Sequence, residues 1–186
     1  MILGWEPHIG DPSFMGWFTV VFYFLTSALC FKAGGGDPGA VNLWRSLGFM
    51  LVVMGINKQL DLQSLLTQIG RELARSGDWY DRRREIQQVF VGIVAVVAVF
   101  AAILAARTLR NRSRALRIAA VGFAMLAAFI SIRAASFHHL DAFLKSTLFG
   151  ARFNWILELG GIGTVAFAAA GVCWQIRARN RLQELG

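Results

Sequence analysis

PSFMGWFTVVFYFLTSALCF, residues 12–31, runs from a proline to a phenylalanine without one charged side chain. An α-helix rises 1.5 Å per residue, so a run of this length covers the roughly 30 Å hydrocarbon core of a bilayer. Lys32 closes the run, and Gly34-Gly35-Gly36-Asp37-Pro38-Gly39 follows it. Glycine triplets and Asp-Pro are strong helix breakers, so a helix, a turn and a second helix are expected here.

The same pattern repeats outward from this segment. IQQVFVGIVAVVAVFAAILAA, residues 86–106, is again free of charge. Its valines do not argue for a strand, because no turn signal interrupts it and its length suits a span. A shorter apolar run flanked by Arg45 and Lys58 gains usable length if its cations snorkel, and another, from Ile118 to about Ala135, is interrupted by Arg133. The reading is an all-α integral membrane bundle of about five transmembrane helices. The spans fall near residues 12–32, 42–60, 86–106, 117–135 and 154–176, in one membrane domain over 1–186. Composition agrees: 56% of the 186 residues are hydrophobic and 16% charged, against about 45–50% and 25% for soluble domains.

Between the second and third spans, Leu62, Leu65, Leu66, Ile69 and Leu73 recur at helical spacing among polar residues. An amphipathic extension of the second span is expected there. Segment 61–85 carries five arginines (71, 75, 82, 83, 84) and five acids (61, 72, 78, 81, 85), so it is neutral. The loop holding Arg107, Arg110, Arg112, Arg114 and Arg117 has no acid, and Arg177, Arg179 and Arg181 follow the last span. Short loops rich in Lys and Arg stay in the cytoplasm. The orientation is therefore N-out/C-in, with 61–85 extracytoplasmic. An odd number of spans is needed for every loop to agree. The N-terminus lacks a basic region ahead of its apolar run, so the first helix is read as retained rather than cleaved.

The net charge of +8 sits at the ends of apolar runs. That placement fits headgroup contact and topology rather than nucleic-acid binding. Cys30 and Cys173 lie in separate apolar runs with no CxxC, and read as small buried hydrophobes. Gly160, Gly161, Gly163, Ala166, Ala170 and Gly171 give the fifth span a close-packing face, expected to serve packing within the chain.

The costly polar residues converge on one side. Asn57, Lys58 and Asp61 lie at the outer end of the second span. Arg133, His138, His139 and Asp141 lie at the outer end of the fourth, and Asn154 and Glu158 open the fifth. Lys58 and Asp61 stand three apart, so a local ion pair is available. Arg133 should seek a carboxylate, with Asp61 and Glu158 the natural candidates, because an unpaired charge at bilayer depth costs several kcal/mol. A structural reading, with these groups meeting headgroups or tying helices together, stands beside a functional one. His138, His139, Asp61 and Glu158 are the candidate ligands for Zn or Cu. A His-ligated haem or pigment is a further option. The sequence requires no cofactor. No GxSxG, SxxK or GKS/GKT motif is present, and no internal repeat suggests a carrier.

The strings GINKQLDLQ (55–63), ASFHHLD (135–141) and NWILEL (154–159) resemble an uncharacterised group of small bacterial polytopic membrane proteins. The resemblance covers most of the chain and implies a bacterial inner membrane, with no activity attached. The expected function is a non-catalytic subunit. It would pack against a larger membrane complex, respiratory or photosynthetic, with lipids and other subunits as partners. The alternative is a small intramembrane enzyme, a metal-dependent hydrolase acting on lipid at the extracytoplasmic face.

Overall fold

The computed structural model describes residues 10–60, 104–105, 107–134, 147–148 and 151–185. Four long helices dominate: α1 (Phe14–Gly34), α2 (Val41–Leu60), α3 (Arg114–Ala134) and α4 (Phe153–Glu184). One minimal antiparallel ladder pairs β1 (Thr147–Leu148) with β2 (Ala151–Arg152), an addition to the all-α expectation. The third expected span, 86–106, lies almost wholly outside the described residues, as do segment 61–85 and the proposed amphipathic extension. Among the described residues two helices, α1 and α4, are long and apolar enough to cross a membrane.

Local chemistry sets the helix ends. Ser13 caps α1: its hydroxyl accepts from the Gly16 amide at 3.1 Å, satisfying one of the unpaired donors of a first turn. At the other end Gly35 and Gly36 donate back to the carbonyls of Lys32 and Ala33. The helix α3 begins at Arg114, three residues before the expected start. Ser113 is the reason: its Oγ accepts from Leu116 N at 3.3 Å and its carbonyl from Arg117 N. The helix α4 also outruns its expected end at Ile176. No glycine or proline interrupts residues 177–184, and Arg, Leu, Gln and Glu are good helix formers.

The packing order is α2–α1–α4–α3. Ser27 of α1 donates to the Gly48 carbonyl of α2 at 2.8 Å, and Gly55 lies against Tyr23. Higher numbers on α2 thus meet lower numbers on α1, so the two run antiparallel. Gly122 and Leu126 of α3 meet Gly161 of α4, with Thr164 also against Gly122. Against α1, α4 runs parallel: Glu158 meets Tyr23, and Cys173 meets Leu29. One core joins the four helices, with Tyr23, Trp44, Leu51, Leu116, Leu126, Ile162 and Val165 fully buried.

On α1 the largest apolar side chains face outward, while the inward face mixes hydroxyls with Val20, Cys30 and Ala33. The face of α1 turned inward carries Thr19, Tyr23, Thr26 and Ser27, all at most 2% exposed. Its outward face carries Phe14, Trp17, Phe18, Val21, Phe24 and Leu25, each over 40% exposed. In water, large apolar groups concentrate inside and extensive exposed apolar patches mark a contact surface.

The α1–α2 turn is tied to the distant helix starts and tail. Asp37 Oδ2 accepts from Trp44 Nε1 at 3.4 Å and from Ser113 Oγ at 3.2 Å. Arg112 donates to the Gly39 carbonyl, and Arg179 donates to the Gly36 carbonyl at 3.2 Å. We expect Asp37→Ala to lower stability by about 1–2 kcal/mol, the value of hydrogen bonds to a partly exposed charge. Thermal unfolding in detergent measures it, and an unchanged midpoint would show that this junction contributes nothing.

Candidate functional site

Lys58 stands in the last turn of α2 because the helix continues through Asn57, Lys58 and Gln59 to Leu60. Glu158 stands near the start of α4. The antiparallel run of α2 on α1 and the parallel run of α4 on α1 bring these two ends together. Lys58 Nζ reaches Glu158 Oε2 at 2.8 Å, and the two side chains are only 8% and 5% exposed. The other carboxylate oxygen, Oε1, accepts from the Tyr23 hydroxyl at 3.3 Å. Three helices thus each contribute one group to a buried triad.

Removing two charges from water costs several kcal/mol per ion. Opposite charge at hydrogen-bond distance offsets this cost, and the phenol hydroxyl occupies the second carboxylate oxygen. Next to the triad, the Gln59 carbonyl accepts from Gly10 N at 2.9 Å. That bond holds Gly10 against the end of α2. The Gln59 side-chain amide is buried and has no hydrogen-bond partner among the described residues, and the same holds for Thr26 Oγ1.

Of the nine residues singled out by sequence, the structure brings Lys58 and Glu158 into direct contact. Asn57 is half-buried beside Lys58 on α2. Arg133 and Asn154 lie on the backbones of α3 and α4, but their side chains fall outside the described set. Asp61, His138, His139 and Asp141 lie outside it altogether, so the candidate metal ligands are represented by Glu158 alone. Among the described residues no group of three His, Cys, Asp or Glu is placed to hold a metal. The described partners of Glu158 are Lys58 and Tyr23, where the charge argument had looked to Arg133. Lys58 likewise reaches across to another helix, where spacing had offered Asp61 on its own.

Sequence reasoning missed Tyr23. It sits in an uninterrupted apolar run and reads as one aromatic among many. The signal that could have found it is the stripe Thr19, Tyr23, Thr26 and Cys30, whose alternating steps of four and three put hydrogen-bonding groups on one face of an otherwise apolar helix. The triad's carboxylate is engaged on one oxygen by the Lys58 ammonium and on the other by the Tyr23 hydroxyl, both from its own chain. No family model, curated protein or solved structure matches this chain.

Proposed function

We propose that this chain is a five-span protein of the bacterial inner membrane, oriented N-out/C-in, and that it serves as a non-catalytic subunit of a larger membrane complex. The observation that carries the membrane reading is the outward face of α1, where Phe14, Trp17, Phe18 and Phe24 are exposed while Thr19, Thr26 and Ser27 are buried. Such a helix is stable where the surroundings are apolar and polar groups must be satisfied within the protein. Helix directions support the count. The chain leaves the described part after Leu60, at the Lys58–Glu158 end. At the start of α3 it is back at the opposite end, where Ser113 meets Asp37. One further crossing fits between them, and the charge-free run 86–106 has the length for it.

Two features favour a subunit over an enzyme. The best-placed carboxylate is engaged on both oxygens by its own chain, in the manner of a helix clasp. On α4, Gly160 and Gly163 meet none of the described residues where a side chain would stand, and Phe167 and Trp174 are each 76% exposed. Small residues let backbones approach in lipid, and such surfaces associate helices.

Gentle-detergent purification of the native protein, with metal and pigment analysis of the same sample, tests this reading. Recovery in a defined assembly with other membrane proteins supports it. Recovery as a free chain carrying stoichiometric zinc or copper would overturn it in favour of the metal-dependent hydrolase.

A further inference from the structure

The end of the bundle opposite the Lys58–Glu158 pair is strongly basic. Segments 32–45, 107–117 and 177–184 come together there. They hold ten Lys or Arg against two acids, Asp37 and Glu184. All ten cations are exposed, but two of them are anchored. The Arg112 guanidinium donates to the Gly39 carbonyl, and Arg179 Nη2 donates to the Gly36 carbonyl at 3.2 Å. These carbonyls stand three residues apart, so chain reach keeps the two anchor points within about 11 Å. A guanidinium has several N–H donors. Each of these uses one on the turn, and neither has a carboxylate partner among the described residues. The acid of the turn, Asp37, is occupied by Trp44 and Ser113. Exposed rings stand next to the cations. Phe31 precedes Lys32 and is 45% exposed, and Trp174, one turn before Arg177, is 76% exposed.

We propose that Arg112 and Arg179 form a binding site for the phosphate of an anionic phospholipid, seated at the Gly36–Gly39 turn. The inference rests on the membrane placement proposed above. That placement sets this turn at headgroup level, because α1 ends at Gly34 and α2 begins at Val41. Chemistry selects the ligand. Phosphodiester oxygens match the guanidinium fork and accept several charge-assisted bonds at once. Basic pockets between helices on the cytoplasmic side hold such headgroups. The exposed rings beside the cations offer an apolar wall at the interface, which acyl chains use and a soluble polyanion does not. The backbone carbonyls do the positioning, since each holds a guanidinium without cancelling its charge. The lipid thereby ties together three segments distant in sequence: the turn between α1 and α2, the approach to α3 and the tail of α4.

The test uses the full chain, stripped of lipid in a neutral detergent. It is titrated with phosphatidylglycerol or phosphatidylcholine and followed by native mass spectrometry. The expected result is retention of phosphatidylglycerol in clear preference to phosphatidylcholine. Arg112→Gln and Arg179→Gln should each weaken that binding about five-fold, the effect of one arginine lost beside an anionic headgroup. Arg181→Gln removes the same charge from the same tail and should change binding less than about two-fold. Equal loss in all three variants would mean diffuse attraction and would overturn the site. So would the absence of any preference in the wild-type protein, a readout that stands even where a variant fails to fold. Displacement of the lipid by inorganic phosphate at equal concentration would assign the site to a free anion and overturn the lipid. Alkaline carbonate extraction of native membranes separates this inference from the reading it rests on. Release of the chain sinks both, whereas a retained chain with no lipid preference sinks the headgroup site alone.

Discussion

Glu158→Leu should destabilise the protein by about 3–5 kcal/mol, because it leaves the Lys58 ammonium buried without its counter-charge. Lys58→Met should cost a similar amount by stranding the carboxylate. The double variant Lys58→Met/Glu158→Leu removes both charges together and should recover most of the loss, since apolar replacements of a buried pair are often neutral or better. Burial decides the magnitude. An exposed pair contributes about 0–1 kcal/mol, but these side chains are 8% and 5% exposed. Unfolding midpoints of the four proteins form a double-mutant cycle. Additive single effects would mean that the two charges do not share a partnership, and the clasp role would fall. Tyr23→Phe in the same background should cost about 1 kcal/mol, one hydrogen bond to a carboxylate that keeps its stronger partner.

The second large effect separates neighbouring glycines. At Gly122 a methyl group would stand 2.8 Å from the Gly161 carbonyl oxygen and 2.8 Å from Thr164 Cβ. A backbone atom of a packed helix cannot step aside, so Gly122→Ala should push α3 off α4 and cost about 1–3 kcal/mol. Gly161→Ala meets Leu126 Cγ at 2.7 Å and the Gly122 carbonyl oxygen at 3.1 Å, with a similar expectation. Gly160→Ala and Gly163→Ala meet nothing within 4 Å among the described residues. They should be neutral or stabilising by about 0.5–1 kcal/mol, since alanine is the better helix former. Equal behaviour of all four variants would refute close α3–α4 contact.

Local signals in the sequence were enough to place α1 and α2. Ser13, Lys32 and the Gly34–Gly39 turn bound α1, and Lys58 lies two residues before the end of α2. The start of α3 was misplaced because arginines were counted as loop, while the capping group that mattered was Ser113. The end of α4 was misplaced for the converse reason: loss of hydrophobicity is not a stop signal when good helix formers continue. Both members of the central ion pair were recognised as unusual, but not as partners. Spacing rules reach three or four residues, and Lys58 and Glu158 stand 100 apart. Only the directions of α1, α2 and α4 bring them together. Cys30 and Cys173 read as small buried hydrophobes, and both are free and buried in the core. Gly161 was expected to serve packing within the chain, and it packs on Leu126 and Gly122, while Gly160 and Gly163 on the same helix meet none of the described residues.

The clasp also has a timetable. Glu158 is made 100 residues after Lys58, and translation at roughly 5–20 residues per second puts about 5–20 s between them. Through that interval α1 and α2 can already lie together, with Tyr23 in place and the ammonium waiting for a carboxylate. Arrival of the final helix cancels the charge and closes the core in one event. A nascent chain halted before α4 therefore lacks the carboxylate that Lys58 meets in the folded protein, and the clasp between the three helices is made only when the last of them is in place.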